Sequence, residues 1–212
     1  DKDNNMLKKA PDKEEVKLSV WSSNLHAAPG SDGLTTFLYQ QCWDVMGDPL
    51  TEVAQSIHQG SNPTLSQRTS LMVFGCKPKK PNSIIPSDKR RISLLNSDFK
   101  VVTGIDANRF KEVSTHTLSP CQLAAGNDRR IHHGINKARD AIWAVGQRGE
   151  GAGILDNDYQ AAFDFMVLLW VFKVLEAKGL YRAVTERLKN IYSNNLPIVV
   201  VNNIPGKSFK NI

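Results

Sequence analysis

Strand patterns and helix patterns follow one another irregularly along this chain of 212 residues, and that mixture constrains the fold most strongly. Short β-branched or apolar runs at 70–74, 92–95 and 198–201 have the length and composition of strands. Longer stretches between them carry apolar residues every three to four positions, as one face of a helix does. Because strands and helices do not alternate strictly, the pattern favours an α+β fold over a doubly wound sheet.

The first two strand patterns flank a loop at about 75–89 that is rich in Lys, Pro and Ser, so we expect a hairpin with a long tip. A helix is predicted from about Leu34 to Gly47, and a second one with Asp48 as N-cap, Pro49 in its first turn and Gly60 past its end. Further helices are predicted over 99–113, 129–145, 165–175 and 180–191. The apolar residues of 165–175 surround that helix, which predicts burial on several sides, and Asp164 is its expected cap.

Both ends of the chain have distinct patterns. Residues 1–28 read as a polar lead-in, and the first 15 or so are charged and weakly periodic, which predicts a frayed or partly helical segment. Near the other end, the strand at 198–201 is expected to lead into a turn at 202–206.

Positive charge is concentrated in one part of the chain. Lys and Arg exceed Asp and Glu by 27 to 21, and residues 65–112 alone hold ten basic and four acidic side chains. A localised positive field suits a phosphate-rich partner, because neutralised phosphates release condensed counterions. A solvated basic face is the alternative interpretation.

Cysteine usage and hydropathy bound the environment. The three cysteines are widely spaced and form no Cys-x-x-Cys pair, which indicates a reducing, intracellular compartment, cytoplasm or nucleus. Apolar runs are far shorter than the roughly 20 residues that span a bilayer, so we expect no membrane partner.

Two acids follow a short apolar run and are the first candidates for chemistry. If the segment is an extended strand, Asp156 and Asp158 point to one sheet face. Mg²⁺ prefers such oxygen ligands, usually one or two carboxylates with phosphates and water. A two-metal site needs a further acid from another element, and a solvated or capping acid is the simpler interpretation.

The stretch 154–164 resembles motif A of reverse transcriptases, in particular those of retrotransposons without long terminal repeats. Its matching residues are Asp158, Ala162, Phe163 and Asp164. Further matches occur in the family's order upstream, and the resemblance covers about 29–212. They are Pro29-Gly30-Ser31-Asp32-Gly33-Leu34, Lys77-Pro78-Lys79, Arg90-Arg91-Ile92-Ser93-Leu94-Leu95-Asn96 and Leu118-Ser119-Pro120-Cys121-Gln122.

The resemblance implies a reverse-transcriptase-like fold, with fingers over 29–150 and an incomplete palm over 151–212. It implies an RNA-directed DNA polymerase that adds deoxynucleotides from their triphosphates to a DNA primer 3′-hydroxyl on an RNA template. The reaction would use two Mg²⁺ ions, and Mn²⁺ is the alternative metal.

The same resemblance implies roles for individual residues. Asp158 is the expected catalytic metal ligand, and Tyr159 would assist through its carbonyl beside the metal and the nucleotide. Phe163 would lie beneath the incoming sugar. Arg90 would contact the triphosphate, assisted by Lys77 or Lys79.

The sequence also departs from the family pattern. Lys89 and Arg91 replace the usual aromatic and proline around Arg90, and Leu123-Ala124-Ala125 replaces the Gly-Phe that follows the Gln. Neither an Arg-Gln-Gly block nor an aromatic-Ala-Asp-Asp strand occurs before Ile212. We therefore expect this chain alone to be inactive, because the second carboxylate motif and the thumb are missing from it.

Two other functions remain open. In a haloacid-dehalogenase-like phosphohydrolase, Asp156 would be the nucleophile and Asp158 the acid/base, although Tyr159 follows where that family has Thr or Val. A non-catalytic, basic nucleic-acid-binding module also fits the charge distribution. The oligomeric state is left open by the sequence.

Overall fold

A computed structural model describes residues 2–119, 121–123, 130–149, 151, 153–158 and 166–209. In these residues the helices are α1 (Lys2–Lys8), α2 (Lys13–Ser22), α3 (Thr36–Gln41), α4 (Trp43–His58), α5 (Leu65–Arg68), α6 (Ser97–Thr117), α7 (Ile131–Arg148), α8 (Leu168–Ala177) and α9 (Arg182–Tyr192). The strands are β1 (Thr69–Cys76), β2 (Lys89–Leu94), β3 (Leu196–Val201) and β4 (Ile204–Ser208). The α+β class predicted from the sequence is confirmed.

The described strands form one mixed sheet in the order β2-β1-β3-β4. β1 and β2 are antiparallel, from Leu71 opposite Leu94 to Cys76 opposite Lys89, so the predicted long-tipped hairpin is confirmed. β3 lies parallel to β1, with Thr69 opposite Leu196. The long connection between β1 and β3 contains several helices, as a parallel pairing requires.

The turn between β3 and β4 is tighter than predicted. Asn202 and Asn203 have φ angles of 51° and 63°, which match the two central residues of a hairpin turn of the primed type. Pro205 and Gly206 lie in β4 rather than in the turn, which corrects the expectation of a turn over 202–206. Proline is tolerated there because β4 lies at the edge of the sheet.

The hydrophobic core of the sheet-containing part is built mainly from α2, α4 and α6. Its fully or nearly fully buried side chains are Val16, Val20, Tyr39, Trp43, Leu50, Ala54, Ile57, Phe99, Val101, Val102, Ile105 and Ile191. The rings of Trp21 and Trp43 meet edge to face with centroids 5.4 Å apart. These contacts join α2 to α4.

The first residues of the chain contribute more to the fold than their polar composition predicts. Residues 2–22 contain two helices, and Leu7, Val16 and Val20 are fully buried. Of the two alternatives expected for the first 15 or so residues, the partly helical segment is confirmed and the frayed one is not. Few apolar residues are needed when each is spaced to face a core that other helices supply.

Helix α4 runs through the point where a break is predicted. The boundary lies at Cys42, and Pro49 is inside α4 instead of at the start of a new helix. Gly47 lies against the Trp43 ring, where a Cβ would come within 2.9 Å of the ring carbon Cε2. Packing of Leu50, Ala54 and Ile57 in the core therefore outweighs the local cost of a proline.

The chain divides into two compact units. One comprises Asp1–Ala107 with Tyr181–Ile212, and the other comprises Asn108–Leu180. In the second unit, α7 has no buried residue and α8 buries Phe172 alone, while Trp170 is 63% exposed. The prediction that the helix over 165–175 is buried on several sides is thus wrong for the described residues. An apolar pattern shows only that a helix can be buried. The expected cap Asp164 lies outside the described residues.

The segment that carries Asp156 and Asp158, considered above as an extended strand, is irregular where it is described. Residues 153–158 form neither helix nor strand, and Ile154 and Leu155 are 76% and 84% exposed. The prediction of a strand is wrong for these residues, because an apolar run forms a strand only when a neighbouring strand receives its backbone hydrogen bonds.

Among the described helices, none is long and apolar enough to cross a membrane.

Candidate nucleic-acid interface

Two motifs that are more than 60 residues apart in sequence meet at the base of the β1–β2 hairpin. The turn at 29–33 lies against the segment that joins β2 to α6. A Cβ on Gly30 would come within 2.2 Å of Asn96 Oδ1 and 2.4 Å of Asn96 N, so only glycine permits this approach. Gly33 has a φ of 73°, which also favours glycine and directs the chain toward α3.

The fully buried Asn96 is the hub of this junction. Its Oδ1 accepts hydrogen bonds from Ser31 Oγ at 3.3 Å and from the Asp32 backbone N–H at 3.4 Å. Its Nδ2 donates to the backbone carbonyl of Ser66 at 3.1 Å and to Ser66 Oγ at 2.9 Å. A single amide therefore links the turn, helix α5 and the start of α6.

The first turn of α6 holds the remainder of the 29–33 turn. Ser97 Oγ donates to the carbonyl of Leu34 at 2.7 Å, and Lys100 Nζ donates to the carbonyl of Ala28 at 2.9 Å. Burial lowers the pKa of Lys100, and the nearby negative charge of Asp32 opposes that shift. Both sides of the turn are thus anchored to the same helix end.

Tyr39 and Asp98 lie behind the junction. Burial raises the pKa of Tyr39 to about 12, with the charges of Asp98 and Asp32 adding to the effect. The Tyr39 hydroxyl therefore stays protonated at neutral pH. Asp98 Oδ2 accepts a hydrogen bond from Gln67 Nε2 at 2.8 Å, which connects α5 to α6 a second time.

The hairpin beyond this junction carries the basic residues that the resemblance singles out. Arg90 and Lys79 are exposed, in β2 and in the loop respectively. Lys77 is half-buried and donates to the carbonyl of Ser87 at 2.8 Å, so it also supports the loop. Gly75 lies directly opposite Arg90, so β1 presents no side chain beside it.

The loop has its own ion pair. Lys80 Nζ lies 2.6 Å from Asp88 Oδ1, and Ser83 Oγ donates to Asp88 Oδ2 at 2.8 Å. The hydrogen bonds from Lys80 and then Ser83 lower the pKa of Asp88. Asp88 is the one acid in 74–94, against six basic residues, so its pairing leaves the hairpin strongly positive.

The expected metal site is only partly within the described residues. Asp156 and Asp158 are both exposed in the irregular segment, while Tyr159 and Phe163 lie outside the described residues. In the parts of the chain that the structure describes, no three His, Cys, Asp or Glu side chains are grouped so as to hold a metal. Metal binding by Asp158 and Tyr159 and the sugar contact of Phe163 remain predictions.

A buried polar cluster was not foreseen from the sequence. Asp106 Oδ1 lies 2.6 Å from Arg187 Nη2 and 3.3 Å from His58 Nε2, and all three side chains are nearly fully buried. Arg187 Nη2 also donates to the carbonyl of Leu7 at 3.0 Å. No local pattern indicates this cluster, because its members come from distant helices.

The cluster borders a cavity of about 400 Å³. The residues that line it are Lys8, Ala10, His58, Gln59, Gly60, Ala183, Glu186, Arg187 and Asn190. This lining has neither a serine nor a cysteine nucleophile, so the His58–Asp106 pair has no partner there for nucleophilic catalysis. The cluster ties α4, α6 and α9 to the end of α1.

Comparison with known proteins relates the chain to a mobile element. No protein-family model matches it. It is similar to "Transposon TX1 uncharacterized 149 kDa protein" from Xenopus laevis, with 27% identity over 176 residues. The aligned part is 82% of this chain and 13% of that protein, so the chain spans a small fraction of the curated relative it matches. Most of this chain thus resembles a short part of a transposon protein.

Proposed function

We propose that this chain is the fingers and first part of the palm of an RNA-directed DNA polymerase encoded by a transposon. The observation that carries the proposal is the junction at Asn96. The turn at 29–33 and the segment 90–96 resemble separate motifs of one polymerase family, and they are in direct contact here. The similarity to a transposon protein supports the same assignment.

The basic hairpin is the proposed contact for RNA template, DNA primer and deoxynucleoside triphosphate. Arg90 can make paired hydrogen bonds to phosphate oxygens, and Lys79 and Lys77 add positive charge close by in sequence. Asn96 follows β2 and bonds Ser66 just before β1, so the two ends of this hairpin are joined at its base, and Arg90 lies on a strand of it.

Asp158 contributes a hard oxygen donor that suits Mg²⁺ or Mn²⁺. When bound in a complete polymerase site, the metal ions neutralise the charge that develops on the transferred phosphoryl group. A single carboxylate is an incomplete donor set. The chain by itself is therefore proposed to bind nucleic acid and to lack polymerase activity.

Three measurements on the purified chain test this proposal. Fluorescence anisotropy with a labelled RNA template–DNA primer duplex should show binding whose affinity falls steeply with salt. Arg90→Gln should weaken binding of a deoxynucleoside triphosphate about tenfold or more, since a charge-assisted bidentate contact is lost. Arg182→Gln is the matched control, because it removes the same positive charge at an exposed site of α9. This variant should bind as the wild type does.

Primer extension is the third measurement. We expect none with Mg²⁺ or Mn²⁺. Extension that disappears in Asp158→Ala would contradict the proposed inactivity and support a complete site. Absence of any salt-dependent nucleic-acid binding would contradict the assignment itself.

A non-catalytic nucleic-acid-binding module is the second candidate. It is favoured by the charge of the β1–β2 hairpin, where residues 74–94 hold six basic side chains and one acid. Template binding that is indifferent to Mg²⁺ and to triphosphate would support it over the polymerase. The phosphohydrolase is not favoured, because Asp156 does not follow a strand in the structure. Covalent trapping of a phosphate analogue on Asp156 would restore it.

A further inference from the structure

We propose that α7 is a docking site for an acidic amphipathic helix of a second polypeptide, which packs along one apolar face of α7 as in a two-stranded coiled coil. The interaction is separate from the proposed polymerase function and does not depend on it. The residues that make the contact, called the α7 seam below, are Ile131, Ile135, Ala138, Ile142 and Val145.

The spacing of the α7 seam is that of a coiled coil. Its members follow one another by four, three, four and three residues. At 3.6 residues per turn they fall within about 80° of one another around the helix and extend along about 21 Å of it. A helix that packs on a globular core has a wider apolar stripe of about 100° or more, whereas a narrow stripe with this spacing is the contact line of two paired helices.

The structure leaves the α7 seam open. α7 has no buried residue, and Ile131, Ile135 and Ile142 are 69%, 53% and 55% exposed. Leu123 touches the helix at Gly134, at the edge of the seam, and leaves these isoleucines more than half exposed. Isoleucines aligned on one face form a continuous apolar patch rather than scattered surface contacts, and such a patch indicates an interaction site.

The charges of α7 indicate which kind of helix fits the seam. α7 has three basic side chains, Lys137, Arg139 and Arg148, and one acid, Asp140. Asp140 lies about 180° around the helix from the centre of the seam, whereas Arg139 flanks the seam directly. In coiled coils the flanking positions pair with opposite charges on the partner helix. The partner should therefore carry Glu or Asp beside its own apolar stripe.

A second copy of this chain fits the seam less well than an acidic helix does. Pairing of two α7 helices would bring together two segments that each carry three basic and one acidic side chain, a net charge of +2. Asp140 faces away from the seam and does not compensate Arg139 of the other copy. Like charges at the flanks of a coiled coil select against such a pair.

The test uses a fluorescently labelled synthetic peptide of about 21 residues, three heptads with Ile at a, Leu at d and Glu at every e and g position. Anisotropy of this peptide should show saturable binding to the purified chain. The same peptide with Lys in place of these Glu residues should bind about tenfold more weakly or worse, because it repels Arg139. Since the basic hairpin also attracts acidic peptides, substitutions in α7 locate the site.

Ile142→Gln should weaken binding of the acidic peptide about tenfold or more, because an apolar side chain is no longer removed from water on docking. Trp143→Gln is the matched control. Trp143 is 68% exposed and is the next residue in the chain, but it lies about 100° further around the helix, outside the seam. This variant should bind as the wild type does. Glutamine is a good helix former, and circular dichroism confirms that both variants are folded.

The charge of the seam's flank is tested in the same way. Arg139→Gln should weaken binding of the acidic peptide about twofold to fivefold, because one exposed ion pair is lost. Lys137→Gln removes the same charge about 120° from the centre of the seam and should leave the affinity unchanged.

Equal binding of the acidic and basic peptides, or wild-type affinity in Ile142→Gln, would overturn the inference. Self-association of the wild type in sedimentation that Ile142→Gln abolishes would also overturn it, because a second copy would then occupy the seam. Binding to phosphatidylserine-containing vesicles that both Ile142→Gln and Trp143→Gln abolish would show a membrane-binding face instead. Ile142→Gln should bind the RNA template–DNA primer duplex as the wild type does, so failure of this inference and failure of the proposed function are distinguishable.

Discussion

At the scale of single residues, small differences in position decide whether a side chain is structural or exposed for binding. Asn96 is completely buried by the contacts of its amide, whereas Arg90 in the same segment is exposed. Both belong to one continuous sequence motif. The motif therefore combines a residue that holds the hairpin with a residue that faces a ligand.

Gly30 provides the sharpest residue-scale prediction. Gly30→Ala should lower the free energy of unfolding by about 1–3 kcal/mol, because the new Cβ overlaps Asn96 and the Leu95 carbonyl carbon, which are backbone or buried groups that cannot yield. Urea denaturation followed by circular dichroism measures the change.

Gly146→Ala is the matched control for that substitution. Gly146 lies inside α7 with nothing within 4 Å of the new Cβ. Gly146→Ala should raise the free energy of unfolding by about 0.5–1 kcal/mol, since alanine is the better helix former. Equal effects of the two substitutions would contradict the close approach at Gly30.

At the scale of elements, helix α4 shows how packing overrides a local signal. Pro49 lacks the N–H that would bond the carbonyl of Val45, yet the helix continues because its next turns carry core side chains. The hairpin is a second example at this scale, because the strand register places Arg90 and Arg91 on opposite faces of the sheet.

Pro49→Ala should therefore raise the free energy of unfolding by about 1–3 kcal/mol, because it restores a helical hydrogen bond at an exposed position. The urea midpoint should rise with an unchanged slope. Pro86→Ala is the control, since Pro86 begins a 3₁₀ turn where its fixed φ is compatible. A lower midpoint for Pro49→Ala would show that the proline is required by α4.

At the scale of the whole molecule, the His58–Asp106–Arg187 cluster joins parts of the chain that no local contact connects. Arg187 on α9 bonds both Asp106 on α6 and the carbonyl of Leu7 on α1. Burial by itself would raise the pKa of Asp106, but the close approach of His58 Nε2 and the charge of Arg187 outweigh it, so the pKa is lowered.

This shift predicts an acid dependence of stability. A carboxyl group whose pKa is lower in the folded state stabilises the fold above its unfolded pKa, and the contribution disappears as pH falls through the folded pKa. Stability of the wild type should thus decrease below the ordinary aspartate range of about pH 4. Asp106→Asn should lower the free energy of unfolding by about 3–5 kcal/mol at pH 7, because Arg187 remains buried without its partner. The stability of this variant should also depend less on acid than that of the wild type.

Asp48→Asn is the control for Asp106, because its pair with Lys13 is largely exposed. Its effect at pH 7 should stay below about 1 kcal/mol. Denaturation at pH 7 and pH 3 distinguishes the two variants. A parallel loss of stability with pH in wild type and Asp106→Asn would contradict the role of Asp106.

The sequence by itself determined the α+β class, the basic hairpin and α9, because periodicity and charge are local properties of the chain. It also marked Arg90, Lys77, Lys79 and Asp158 as candidates, of which the structure locates the first three in one hairpin and leaves Asp158 exposed in an irregular segment. The tertiary structure alone decided the Asn96 junction, the unbroken α4, the burial of the first helices and the Asp106 cluster. These features depend on contacts between residues far apart in sequence, and such contacts leave no periodic trace in the residues that make them.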